Sequence, residues 1–256
     1  MTHPLFYHQF FKLELCSVFE FYSVLTNCQV TDNSFKILFS SNSVCEMNTI
    51  AIFEKHYAGR RKQLKKEILI TALQLFNQNG IEATTIEQIR ENSDTSVGAI
   101  YYHFGTKEGI IANLYFLALD DQAIEREKYF KNINNIKEFI FAIVHSYLDW
   151  IEQNVELARF QITARYYVST STYEDELTEK NKTRNKAIFQ HLKSVYSMEK
   201  LEKLQLNLIV SLILGSAENY AKLWLLEKIS EKPSKYRNEF AQSAWLSVER
   251  FFITDQ

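Results

Sequence analysis

From residue 61 onward the apolar positions of this 256-residue chain recur every three or four residues, and no segment alternates with period two, so the pattern predicts helices and no strands. The first runs over residues 61–79, with Ile68, Ala72, Leu75 and Phe76 inward and Gly80 as a left-handed stop. A short helix over residues 85–92 follows. At its start the Thr84 hydroxyl can accept from a free backbone N–H while Glu87 reaches back in a capping box. Ile86, Ile89 and the stem of Arg90 form its inner side, and Glu87, Gln88 and Glu91 its outer one. Asn92, Ser93 and Asp94 then compete for backbone hydrogen bonds and end it. Ser96 caps a third helix over residues 97–103, and Thr106 caps a connecting helix that reaches residue 130. Further helices are predicted over residues 136–153, 155–167, 173–197, 201–229 and 234–252, separated by polar clusters at 131–135, 169–172 and 230–234.

The third helix carries the chemistry. Gly98 and Ala99 are small, whereas Tyr101, Tyr102 and His103 are large and polar-tipped. A small start with a hydrogen-bonding flank suits close approach to a duplex, the first turn at base edges and the hydroxyls at phosphates. Lys107, at the N-terminus of the next helix, adds a cation where an anion is already favoured. A bundle core is the competing explanation for the aromatic residues, and Ile100 and Phe104, four apart, fit it. Gly98 can equally serve packing against the preceding helix, and His103 can be a solvated surface residue.

The segments ILITALQLFNQNGIEATTIEQI and TSVGAIYYHFGTKEGI resemble, without a gap over residues 61–114, the tetracycline-repressor-like (TetR/AcrR) family of bacterial transcription regulators. The resemblance implies an all-α chain with an N-terminal three-helix helix-turn-helix domain over residues 58–106, followed by a helical ligand-sensing and dimerisation domain over 107–256. It implies a regulator that binds a near-palindromic double-stranded DNA operator as a homodimer and answers to a small-molecule effector. Thr85, Tyr101, Tyr102, His103 and Lys107 would position the protein on phosphates, Ser96, Val97 and Ala99 would touch base edges, and Thr84 and Gly98 complete the DNA-binding set. Arg90, Asp94 and Thr95 depart from the family, which usually has Ala, Gly and Val there. Asp94 adds a negative charge near DNA. An adaptor whose helix-turn-helix no longer binds DNA is therefore the alternative.

The last two helices carry wide apolar stripes, Leu208, Leu212, Ile209, Ile213, Ala217, Tyr220 and Trp224 on one and Phe240, Ala244, Trp245 and Val248 on the other. By the resemblance these two helices pair with their copies in a second subunit, with Gly215 and Ser216 permitting close approach. It also implies an effector pocket in the larger domain, for which Phe116, His145, Trp150, Phe160, Tyr166, Asn219 and Trp224 are candidates; large apolar residues serve a core as readily as a pocket.

Net charge is −2, which by itself argues against a nucleic-acid partner. Its distribution argues otherwise. Lys plus Arg against Asp plus Glu stand at 2 and 5 over residues 1–54, 8 and 5 over 55–107, and 19 and 21 over 108–256. Within the basic middle segment Arg60, Arg61, Lys62, Lys65 and Lys66 cluster, as a phosphate-tracking arm or as a solvated helix face.

The chain has no Walker loop, dinucleotide glycine fingerprint, nucleophile elbow or HExxH. His145, Ser146 and Asp149 are close in sequence but diverge around a helix, and His3 and His8 lack zinc-spaced companions. No catalytic residue, metal or cofactor is expected. Residues 1–46 are an atypical extension that holds Cys16, Cys28 and Cys45. The stretch 13–30 is interrupted by Glu14 and Glu20, which makes it a poor membrane span, so a cytoplasmic protein without a membrane partner is expected. Either translation natively starts at Met47, or the extension packs on the DNA-binding domain.

Overall fold

The computed structural model describes residues 43–201 and 204–253, and every regular element among them is helical. The helices are α1 (Ser43–His56), α2 (Gln63–Asn79), α3 (Ile86–Asn92), α4 (Val97–Phe104), α5 (Lys107–Tyr129), α6 (Ile136–Gln153), α7 (Val155–Ser169), α8 (Glu174–Val195), α9 (Met198–Leu201), α10 (Leu206–Leu225) and α11 (Arg237–Ile253). Short 3-10 turns lead into α2 and α11. Cys16, Cys28 and the stretch 13–30 lie outside the described residues.

Local chemistry sets most boundaries. The Thr106 and Asn135 side chains accept from the amides of Gly109 and Glu138, so α5 and α6 start where a polar cap follows a break. Gly80 ends α2 at φ 83°, a conformation that costs a Cβ-bearing residue more, and its N–H bonds the Phe76 carbonyl. Helix α1 was not expected. Its buried residues Thr49, Ile52 and Phe53 span little more than one turn, too short a stripe for periodicity to register. It runs through Met47 without interruption.

The helices group into two units that share one continuous apolar core. Helices α2, α3 and α4 enclose Ile68, Leu69, Ala72, Ile89, Ile100 and Phe104. The larger unit packs α5 along α6 and α7, with α11 and α10 laid against α6. Trp150 and Phe160, 1% and 0% exposed, fill its centre, each such side chain contributing about 1.5–3 kcal/mol by leaving water. One face of α7 joins the units. The Phe160 ring stacks on Phe76 at 5.7 Å, Asn77 donates to the Glu156 carboxylate at 2.8 Å, and the Tyr167 hydroxyl donates to Glu82 at 3.0 Å.

The stripes of α10 and α11 divide between the subunit's own core and an outward row. Ile209, Ile213 and Ala217, and Ala244, Trp245 and Val248, are buried within their own chain, because α6 and the α10–α11 contact claim that side. What remains outward is a narrower row with Leu208 and Leu223 on α10 and Leu246 on α11. A Cβ added at Gly215 would meet nothing within 4 Å, so no neighbour among the described residues requires a glycine there.

Candidate nucleic-acid interface

The two adjacent threonines that open α3 have opposite surroundings. Thr84 is fully buried and its hydroxyl donates to the carbonyls of Gly80, at 2.8 Å, and Leu75. It is exposed Thr85 that caps the helix, accepting from the Gln88 amide while the Gln88 side chain accepts from the Thr85 N–H. The capping box is thus one residue later than expected, built on Gln88 and not on Glu87. Thr84 has no surface to offer DNA, which corrects its place in the expected DNA-binding set.

Asp94 forms the tip of the turn at φ 46°, in the left-handed region that Asp tolerates better than most side chains. This accounts for a position where glycine is usual. Ser96 then caps α4 by accepting from the Ala99 amide at 3.1 Å. The helix splits cleanly into two sides. Ile100 and Phe104 are buried, whereas Tyr101 is 49% and Tyr102 85% exposed, with Ser96 and Gly98 also at the surface and Val97, Ala99 and His103 half-buried. A Cβ on Gly98 would meet only the Ser96 hydroxyl, at 3.9 Å, so packing against α3 is not what calls for glycine there. The His103 ring sits edge-on to Tyr102 at 5.1 Å.

Lys107 belongs to the scaffold. Its ammonium donates to the carbonyls of Ile81, at 2.9 Å, Thr84, at 3.0 Å, and Glu82. With its donors turned onto the loop between α2 and α3, it holds that loop to the start of α5.

The basic cluster before α2 does not form one face either. Lys66 is buried and ion-paired with Glu54 of α1. Lys65 lies over the Tyr57 and Phe104 rings, and burial, with Lys62 nearby, lowers its pKa. Arg60 and Lys62 stay exposed. Arg90, on α3, is gripped by Glu87 and Glu91, each at 2.9 Å.

The candidate pocket residues differ in burial. Phe116, Trp150 and Phe160 are closely packed core, Trp224 is half-buried, and Tyr166, at 69%, and Asn219 are exposed. His145 lines a 510 Å³ groove with Tyr129, Ile133, Phe141 and Ala142. Burial, with Arg237 close by, lowers the His145 pKa. Sequence gave no means of separating these roles, since an aromatic residue at helical spacing looks alike in either. Residues that it missed include Gly109, packed against the end of α4, and Asp121, which accepts from Trp150 and Lys55. Among the described residues no group of three His, Cys, Asp or Glu could hold a metal, and no helix is long and apolar enough to cross a membrane.

Residues 68–114 match the family model for bacterial regulatory proteins, tetR family. The chain is 27% identical over 128 residues to the probable HTH-type transcriptional regulator YttP of Bacillus subtilis, covering 49% of this chain and 61% of that protein. It is 45% identical over 51 residues to the HTH-type transcriptional regulator QacR of Staphylococcus aureus, 20% of this chain and 27% of that one. The chain therefore spans only about a quarter to three fifths of the length of these two relatives. In three dimensions it resembles a TetR family transcription regulator from Marinobacter aquaeolei at a TM-score of 0.59 and 13% identity, covering 73% of this chain and 98% of that structure, a likeness of fold. Residues 68–114 thus carry the helix-turn-helix segment of the tetR family of bacterial regulatory proteins, and the chain as a whole shares the all-helical fold of such regulators.

Proposed function

We propose that the protein is a sequence-specific DNA-binding transcriptional regulator, a ligand-responsive repressor that meets a near-palindromic operator as a homodimer. The observation that carries this reading is the uncovered side of α4. Ser96, Gly98, Tyr101 and Tyr102 are exposed among the described residues, with open space above Gly98 for a close approach to a groove. Thr85 and His103 flank that side, with Val97 and Ala99 in its first turn, and together they make the reading face. The adaptor alternative is not favoured, because nothing in the described chain covers this face.

The reading domain spans residues 58–106 and the sensing and dimerisation domain 107–256. Dimerisation through α10 and α11 is supported by the outward Leu208, Leu223 and Leu246 and by the unoccupied space at Gly215, where a second backbone could come close. Two copies of α4 would then need to stand about 34–36 Å apart, one turn of DNA. The effector would act on the larger domain, which reaches the loop before α3 through Tyr167 and Glu82.

Selection of genomic fragments on the immobilised protein, followed by footprinting, tests the reading. Two protected half-sites one helical turn apart are expected, and Gly98→Leu should abolish retention while leaving the circular dichroism spectrum unchanged. Retention of random duplex as strong as that of any selected fragment, or undiminished binding by Gly98→Leu, would refute it.

A further inference from the structure

Helix α1 lies upstream of the segment that matches the family, yet it touches both units. Glu54 and Lys55 are consecutive, so they point about 100° apart around the helix axis. Each meets a buried charge on a different unit. Glu54 pairs with Lys66 of α2, whose side chain is only 8% exposed. Lys55 donates at 2.9 Å to Asp121 of α5, whose side chain is likewise 8% exposed. His56 lies 3.5 Å from the same carboxylate.

The attachment to the larger unit goes deeper than one ion pair. The second oxygen of Asp121 accepts from the Trp150 indole at 3.0 Å, and Trp150 is at the centre of the core. Asn48 donates to the carbonyl of Gln153, the last residue of α6. Phe53 is completely buried and anchors the helix between these ends. A buried charge stripped of its partner is costly, so both ends hold α1 more firmly than exposed pairs would.

We propose that α1 is a two-ended link that fixes the orientation of the DNA-reading unit to the larger unit, with Lys55 held by Asp121 and Trp150 at one end and Glu54 held by Lys66 at the other. The functional half of this inference rests on the DNA-binding reading; the mechanical half does not. A link in series has a particular signature. Breaking either end releases it, and breaking both releases it no further. Independent surface contacts would instead add.

The test uses full-length Glu54→Gln, Lys55→Gln and the double variant, with Lys128→Gln as a control in a pair that joins no two units. The first readout, hydrogen exchange of the α2 amides, needs no DNA. Each single variant is expected to speed exchange about threefold or more, with the double variant within about twofold of the faster single. The second readout is affinity for a fragment selected from the genome at fixed salt, where each single variant should lose roughly three- to tenfold, the double no more, and Lys128→Gln nothing. Additive losses, or exchange equal to wild type in both singles, overturn the link. If the exchange pattern holds while wild type binds no fragment, the link stands and the DNA reading fails. Should a variant not fold, exchange in the wild-type chain decides: α1 amides protected as strongly as those of α6 support the link, and α1 amides that exchange like frayed ends refute it.

Discussion

A Cβ on Gly109 would lie 1.9 Å from the carbonyl oxygen of Phe104, so the end of α4 and the first turn of α5 meet backbone to backbone. The Tyr173 hydroxyl closes the same spot from the side, 2.8 Å from that Cβ position. Gly109→Ala must therefore push α4 away from α5. The expected cost is about 1–3 kcal/mol of stability, visible as a lower urea midpoint, together with loss of fragment retention. Wild-type values in both measurements would contradict the backbone contact.

Lys107 and Tyr102 should separate scaffold from surface. Lys107→Met leaves three carbonyls without their cationic donor and is expected to lower stability by about 1–3 kcal/mol, with the salt dependence of duplex binding unchanged. Tyr102→Ala, at a site 85% exposed, should leave stability within about 0.5 kcal/mol and weaken binding. Denaturant melts and binding isotherms at several salt concentrations distinguish the two.

Asp121 should leave a mark on acid stability. Burial alone would raise its pKa, but His56, Trp150 and Lys55 overcome burial and bring it from 3.8 down to about 2. A carboxyl group whose folded-state pKa is depressed contributes stability above its unfolded value, and that contribution disappears as pH falls through the folded one. The window is thus roughly pH 4 to 2, and the contribution is on the order of 2 kcal/mol. Urea midpoints measured across that window should fall in the wild type and fall less in Asp121→Asn; parallel curves would count against the assignment.

Leu246, 57% exposed on α11, should lie in the subunit contact if α10 and α11 pair with their copies. Leu246→Glu is expected to shift sedimentation from dimer to monomer at micromolar concentration without altering helix content. Gly215→Ala, with open space around it, should leave the subunit's own fold intact or raise its stability by up to about 1 kcal/mol. A dimer unaffected by Leu246→Glu would exclude this face.

The sequence made legible what depends on nearest neighbours. The span of α6 follows from the Asn135 cap and the polar cluster before it, and the Ser96 cap and Gly80 stop follow from single residue types. Decisions that depend on burial were illegible. Thr84 and Thr85 are the same residue type, and only packing of the loop against α2 turns one inward and leaves the other as the cap. Lys65 and Lys66 look like parts of one basic arm until α1 and Phe104 cover them. Trp245 and Leu246 are adjacent and apolar, yet one serves the subunit and the other points away from it.

Helix α4 carries no Lys, Arg, Asp or Glu, and the nearby Arg90 guanidinium is already held between Glu87 and Glu91. On the proposed reading, such a face adheres poorly to arbitrary sequence, since indiscriminate attraction comes from cations that displace counterions. Most of the chromosome would then act as a weak decoy, and few molecules would be sequestered on it. Residence would lengthen only where the groove accommodates the bare backbone at Gly98, so the search would be decided by steric fit and not by charge.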